Sequence, residues 1–255
     1  MCLSVVIPAF NEETRILETL RATSDYLTHL DERTEIIVVD DGSSDRTVQV
    51  CEQFAQNNPQ ANLRVVSYEL NRGKGYAVRQ GMLQATGNIR LFCDADLATP
   101  IEEYQVLLDS MKSSRAQIAI GSRPLKASNL LVHQPKYREL LGRIFNSAVQ
   151  HLAVSGIEDT QCGFKLFTAE AAEEVFSLCK LDRYAFDSEA LYIASVLGYK
   201  ITEVPIRWSH KEGSKVSLIR DGTRMVFDLL TIRLIHRSLV LQRPIKSVSH
   251  SHPEL

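Results

Sequence analysis

The sequence predicts an α/β fold with a mostly parallel sheet flanked by helices, and three observations predict it. Strand-like and helix-like segments alternate from residue 3 to about residue 120 of the 255-residue chain. The strands are continuous apolar runs, as in a sheet covered on both faces. Acidic residues follow two of these runs directly, at Asp40-Asp41 and at Asp94-Ala95-Asp96. Ligands in such folds bind there, beyond the carboxyl ends of the strands.

The elements follow in order. Leu3–Ile7 is a buried strand. Pro8 stops its ladder, and Asn11 can cap a helix from Glu12 to about Leu30 that carries Ile16, Leu17, Leu20, Leu27 and Leu30 at helical spacing. Ile36–Val39 is a second strand; Ser44 can cap the next helix, with Val48, Cys51 and Phe54 on one face. Leu63–Tyr68 is a third strand, Gly75–Ala85 a third helix and Ile89–Cys93 a fourth strand. Thr99-Pro100-Ile101-Glu102 puts Thr at N-cap, Pro at N1 and Glu at N3, a capping box opening a helix to about Met111. Ile118–Ile120 is a short fifth strand. The second half is less regular. It offers a helix over Arg138–Leu152, a polar loop over Asp159–Lys165 and a helix capped by Thr168 that runs to about Leu178. A further helix covers Ser188–Leu197 or begins slightly earlier. Lys200–Trp208 is strand-like, with Pro205 favouring an edge.

Composition excludes several classes. The net charge of −2 is too small for a nucleic-acid partner. From Arg207 onward nine Lys/Arg face four Asp/Glu, a local excess of five positive charges. Five cysteines with no CxxC pair point to a reducing, cytoplasmic compartment. No signal peptide opens the chain, and no uncharged apolar run reaches the ~18–20 residues of a membrane span. The expectation is a protein that is soluble, or peripheral at the cytoplasmic membrane face.

Asp94 and Asp96 cannot both be core groups, because a buried carboxylate is costly and two neighbours repel. Such a pair holds a divalent cation or closes an acidic turn, and oxygen ligands suit Mg²⁺ or Mn²⁺. Asp40-Asp41-Gly42-Ser43-Ser44-Asp45 and Pro8-Ala9-Phe10-Asn11-Glu12-Glu13 read alone as turns or as subsites. Asn71-Arg72-Gly73-Lys74-Gly75 sets a glycine-flanked lysine before a helix; it can cradle a phosphate but lacks the full P-loop pattern.

Taken in order, Pro8…Glu12, Asp40-Asp41-Gly42-Ser43…Asp45, Asn71…Gly73-Lys74-Gly75 and Asp94-Ala95-Asp96 resemble family 2 glycosyltransferases of the GT-A (Rossmann-like) fold, from Leu3 to about Arg237. The resemblance implies one domain over 1–242, with a nucleotide-sugar half (1–125), an acceptor half (126–242) and a polar tail (243–255). It implies that Pro8, Phe10, Glu12, Asp40, Asp41, Lys74, Asp94 and Ala95 meet the nucleotide sugar. Asp94 and Asp96 are then the metal carboxylates, Asp96 binding directly and Asp94 nearer the sugar and ribose.

Gly121-Ser122-Arg123, Asp159-Thr160-Gln161-Cys162-Gly163-Phe164-Lys165, Phe186-Asp187-Ser188-Glu189 and Trp208…Ser214-Lys215-Val216 look like polyprenyl-phosphate sugar synthases, and most of all like dolichyl-phosphate glucosyltransferases. The implied reaction moves glucose from UDP-glucose to a polyprenyl phosphate with a metal and with inversion. Asp96, Asp187, Glu189 and Arg123 are the implied catalytic set. Arg123, Arg143, Lys165, Lys215 and Arg220 are candidates for the acceptor phosphate. A GDP-mannose-dependent polyprenyl-phosphate mannosyltransferase is the near rival, and a nucleotidyltransferase or a non-catalytic sugar-nucleotide binder the distant ones. Thr223–Leu241 is densely apolar with scattered arginines. It reads either as a core helix with polar edges or as an interfacial helix on a membrane surface.

Overall fold

The computed structural model describes residues 2–125, 127–132, 156–211 and 220–241. Among these residues the strands and α-helices are β1 (Cys2–Ala9), α1 (Ile16–Thr28), β2 (Arg33–Asp40), α2 (Thr47–Asn57), β3 (Leu63–Ser67), α3 (Lys74–Gln84), β4 (Ile89–Cys93), α4 (Glu103–Ser114), β5 (Ile118–Ser122), β6 (Asn129–Val132), β7 (Phe164–Thr168), α5 (Ala169–Leu178), α6 (Phe186–Leu197), β8 (Ile201–Pro205), β9 (Arg207–Ser209), α7 (Arg220–Ile235) and α8 (Arg237–Leu241). Seven strands form one sheet in the order β3-β2-β1-β4-β7-β5-β8, and β6 pairs with β9 separately.

The apolar strands form the sheet centre because each buries both faces. Val5 and Ile7 of β1 face one core with α1, α2 and α4, whose Ile16, Leu20, Phe54, Tyr104 and Leu107 fill it. Val6 faces the other, with Val78, Phe176, Leu191 and Leu229 from α3, α5, α6 and α7. This is the period of two expected of a strand between helical layers.

Three features depart from the sequence expectation: β6 is unexpected, Lys200–Trp208 divides into β8 and β9 in separate sheets, and β7 replaces part of a loop. Phe164–Thr168 reads as the end of a polar loop, yet it is β7, antiparallel to both β4 and β5. Its reversal has a functional consequence. Cys93 pairs with Phe164, so the amino end of β7 joins the carboxyl ends of β1, β2 and β4. Pro205 ends the edge strand β8, a position where a missing N–H is tolerated.

Helix starts also shift. α1 begins at Ile16, α2 at Thr47 and α4 at Glu103, each without a side-chain cap. Thr168 does cap α5, accepting from the Ala171 N–H. The expected helix at Arg138–Leu152 and the tail after Gln242 lie outside the described residues.

Candidate active site

The loops after β1 and β2 are bonded to each other. The Asn11 N–H donates to Ser43 Oγ (2.8 Å), and the Ser44 N–H donates back to Asn11 Oδ1 (2.8 Å). The Glu12 N–H donates to Thr47 Oγ1 (2.7 Å). The residues expected to cap α1 and α2 thus bridge the two loops instead. Asn11 takes the left-handed conformation (φ 52°), which Asn tolerates. Pro8 and Ala9 are buried in β1, Phe10 is half-buried, and the Glu12 carboxylate holds Arg15 with two bonds of 2.8 and 2.9 Å.

Asp40 and Asp41 diverge, as adjacent residues leaving a strand must. Asp41 accepts from the Tyr68 hydroxyl (2.9 Å), Asn71 Nδ2 (2.9 Å) and the Arg72 and Gly73 N–H groups (both 2.8 Å). Burial and the neighbouring Asp40 push its carboxyl above the usual range despite these donors. It braces the 71–73 loop and has no acceptor site left for a nucleotide. Asp40 is equally buried, but only its Oδ2 is bonded, to the Ser43 N–H at 3.1 Å. Its Oδ1 is buried with no hydrogen-bond partner. A buried acceptor left unmade costs about 1–3 kcal/mol, so Asp40 is the better candidate to receive a ligand N–H or O–H.

The Asp94-Ala95-Asp96 turn follows β4. The Asp94 N–H donates to the Gly163 carbonyl (3.1 Å), Asp96 Oδ1 accepts from the Ala98 N–H (3.0 Å), and the Ala95 carbonyl accepts from Thr19 Oγ1 (2.6 Å). Sheet and α1 thus hold both carboxylates at the cleft. Gly163 makes this possible: a Cβ there would lie 2.0 Å from Asp94 Oδ2.

Lys74, at the head of α3, pairs with Asp94 Oδ1 at 2.6 Å. Burial disfavours its charge, but Asp94 and Asp187 outweigh that and hold its pKa up. Burial and the charge of Asp94 raise the carboxyl of Asp96, a repulsion that a divalent cation would relieve. Among the described residues no three His, Cys, Asp or Glu side chains surround one point. The two carboxylates therefore suit a metal whose shell is completed by phosphate oxygens, the usual habit of Mg²⁺.

Arg123 faces the same cleft, which is lined by Asp94, Asp96, Gln161, Trp208, His210 and others. Asp159 grips its guanidinium with bonds of 2.7 and 2.8 Å. Burial alone would raise the Asp159 carboxyl; Arg123 outweighs it and lowers it. Gln161 and His210 line the cleft beside the carboxylates. Neither stands out in the sequence as a cleft residue, although Gln161 sits inside the Asp159–Lys165 motif.

Two expected site residues are placed elsewhere. Lys165 is buried in β7, its ammonium donating to the Cys162 carbonyl and Asp187 Oδ1 (both 2.5 Å). It is not available to an acceptor phosphate. Glu189 is fully buried and accepts from the Lys180 and Leu181 N–H groups (2.9 and 2.8 Å) and bonds His236 Nε2 (2.7 Å). Its partners are a loop and the α7–α8 junction, not the cleft. Asp187 stands between, bonded to Lys165 and close enough to Lys74 to affect its charge. Arg143 and Lys215 lie outside the described residues, as does the Arg220 side chain. We expect Glu189→Ala to cost about 3 kcal/mol of stability, since it orphans two N–H groups and a buried imidazole. Urea unfolding checks this; a loss below 1 kcal/mol would contradict the buried latch.

Known proteins resemble this chain in sequence and in fold. The model of "Glycosyl transferase family 2" matches residues 4–176. Dolichyl-phosphate beta-glucosyltransferase of Homo sapiens is 39% identical over 242 residues, covering 91% of this chain and 75% of that protein. The enzyme of the same description from Saccharomyces cerevisiae is 37% identical over 251 residues, covering 92% and 75%. Among solved structures, glucosyl-3-phosphoglycerate synthase from Mycobacterium tuberculosis, in complex with Mn²⁺, UDP and glucosyl-3-phosphoglycerate, superposes with a TM-score of 0.64 at 21% identity, covering 96% of this chain and 81% of that one. Mannosyl-3-phosphoglycerate synthase from Rubrobacter xylanophilus gives 0.66 at 19% identity, covering 100% and 78%. These likenesses establish the GT-A fold.

Proposed function

The chain belongs to glycosyl transferase family 2, and from that premise we propose that it moves glucose from UDP-glucose to the phosphate of a dolichyl-type polyprenyl lipid, inverting the sugar carbon. The observation that carries the reading is the meeting of Asp94, Asp96 and Arg123 in one cleft. The relatives that are dolichyl-phosphate beta-glucosyltransferases support glucose and dolichyl phosphate as the transferred sugar and the acceptor.

Each group has a task. Asp40 Oδ1 receives a donor group of the nucleotide. Asp94 and Asp96 hold Mg²⁺ or Mn²⁺, which when bound supplies Lewis-acid stabilisation of the leaving diphosphate. Lys74 offers a second cation there, at a helix N-terminus that favours anions. Arg123 holds the acceptor phosphate with the edge that Asp159 leaves open. That phosphate monoester has a second pKa of roughly 6, so it attacks as an anion and needs little help from a general base. A nucleotidyltransferase would carry a glycine-rich loop after β1, and Pro8–Glu13 contains no glycine.

Radiolabel transfer from a panel of UDP- and GDP-sugars to dolichyl phosphate tests the reading. UDP-glucose should give a β-linked lipid product; a preference for GDP-mannose, or an α-linked product, would refute it.

Lipid access follows from α7. Leu229 and Ile232 are buried, while Phe227, Leu230 and Leu234 are 70%, 51% and 72% exposed on another face, between exposed Arg224 and Arg233. The helix breaks at His236 before Arg237, so the long continuous wheel expected from sequence is two pieces. No helix among the described residues is long and apolar enough to cross a membrane. An apolar face edged by arginines suits peripheral binding to anionic lipid, at the cytoplasmic face. Replacing Phe227, Leu230 and Leu234 with Ser should reduce flotation with anionic liposomes at least tenfold; unchanged flotation would exclude this face.

A further inference from the structure

We propose that Glu203 is a positioning residue for Arg123, and through it for the acceptor phosphate; the second half of this statement rests on the function proposed above. Glu203 lies on edge strand β8, opposite Ile120 of β5, and is not among the residues that line the cleft. Its two carboxylate oxygens capture two consecutive backbone groups. Oε2 accepts from the Glu158 N–H (2.8 Å) and Oε1 from the Asp159 N–H (2.9 Å). This fixes the backbone at Asp159. The Asp159 carboxylate then fixes Arg123 three times: Oδ2 accepts from the Arg123 N–H (3.0 Å) and Nε (2.7 Å), and Oδ1 from Nη2 (2.8 Å). Oδ1 also accepts from the Gln161 N–H (3.2 Å), so the same carboxylate shapes the strand-end loop beside Asp94. The guanidinium is completed by the Trp208 face, 5.6 Å from its centre.

The chemistry requires a carboxylate at 203. Two parallel N–H groups need two acceptor oxygens, and a Gln side chain offers one oxygen and one NH₂ that opposes the second N–H. The position carries acid despite having Glu158 and Asp159 beside it in space, where repulsion disfavours a third negative charge. The arrangement also limits the global cost of its loss. Glu203 is half-buried on an edge strand. Its effect should therefore be local.

Glu203→Gln in the full chain is the test, with Glu203→Ala as a second variant. The first readout is the Arg123 Nε–H resonance in a ¹⁵N spectrum, assigned through its disappearance in Arg123→Lys. We expect it to broaden or shift in both Glu203 variants, with melting within a few degrees of wild type. The second readout is kinetic: KM for dolichyl phosphate should rise about tenfold, while KM for UDP-glucose and Mn²⁺ affinity stay within twofold. An unchanged Arg123 resonance overturns the proposal. So does a fall in kcat with both KM values unmoved, or a collapse in melting temperature, either of which marks a merely structural role. If wild-type protein transfers nothing to dolichyl phosphate yet the resonance responds, the functional reading fails and the link from Glu203 to Arg123 stands.

Discussion

Asp96→Ala is expected to reduce metal-dependent transfer at least a thousandfold, about 4 kcal/mol of barrier, while leaving the fold intact. The two halves of this expectation have separate causes. Asp96 is the carboxylate that approaches the metal in the proposed site, and no other described acid lines the cleft beside Asp94. The fold tolerates its loss because its charge is held at a cost: burial and the adjacent Asp94 raise its carboxyl in the folded protein. A carboxyl raised on folding destabilises the native state once it is ionised. At neutral pH its removal relieves that repulsion and offsets the lost Ala98 bond, itself worth about 1 kcal/mol. Stability should then change by less than about 1 kcal/mol. Initial rates with Mn²⁺, Mn²⁺ titration and thermal melting check each part. Retained rates, or a variant that no longer folds, would contradict it.

Gly163→Ala is the second large effect, and it acts without touching a charge. The added methyl would meet the Asp94 carboxylate at 2.0, 2.3 and 2.5 Å from its three nearest atoms, separations that no unstrained contact allows. Gly163 does not need a left-handed conformation, since its φ is not among the positive ones. The effect is therefore space alone. The side chain of Asp94 must swing out, breaking its 2.6 Å pair with Lys74 and moving it away from Asp96. We expect about a hundredfold loss of kcat/KM, near 2.7 kcal/mol, with weaker Mn²⁺ binding. Gly156→Ala is the contrast. Nothing lies within 4 Å of its added Cβ, but φ is 82°, so it should lose about 1 kcal/mol of stability with rates unchanged. Equal kinetics in the two variants would contradict the contact between Gly163 and Asp94.

The sequence made the parallel half of the fold legible because β1, β2, β4 and β5 are buried on both faces, and a continuous apolar run announces that environment. It hid β7, since a strand carrying Lys165 just after Gly163 has the composition of a loop. Only the tertiary pairing of its ammonium with Asp187 and the Cys162 carbonyl makes that lysine a core residue. The same limit separated Asp40 from Asp41. Adjacent residues leaving a strand point to opposite sides, so identical side chains acquired different work, one bracing a loop and the other keeping a bare oxygen. Asp187 and Glu189 show it on a helix. Residues two apart do not share a face, and the motif that contains both gave no reason to separate them. Arg123 and Asp94 were legible because motif and strand end coincide. The Asp159 clamp and its support from Glu203 depend on β5, β8 and the loop before β7 meeting, which no local pattern encodes.

The most direct measurement is a crystal structure with UDP-glucose and Mn²⁺, in which the anomalous signal of manganese locates the metal. One manganese peak is expected between the Asp94/Asp96 carboxylates and the donor diphosphate, with Lys74 beside the same diphosphate and the uracil ring within reach of Asp40. A manganese peak away from both aspartates, or a diphosphate bound outside this cleft, would contradict it.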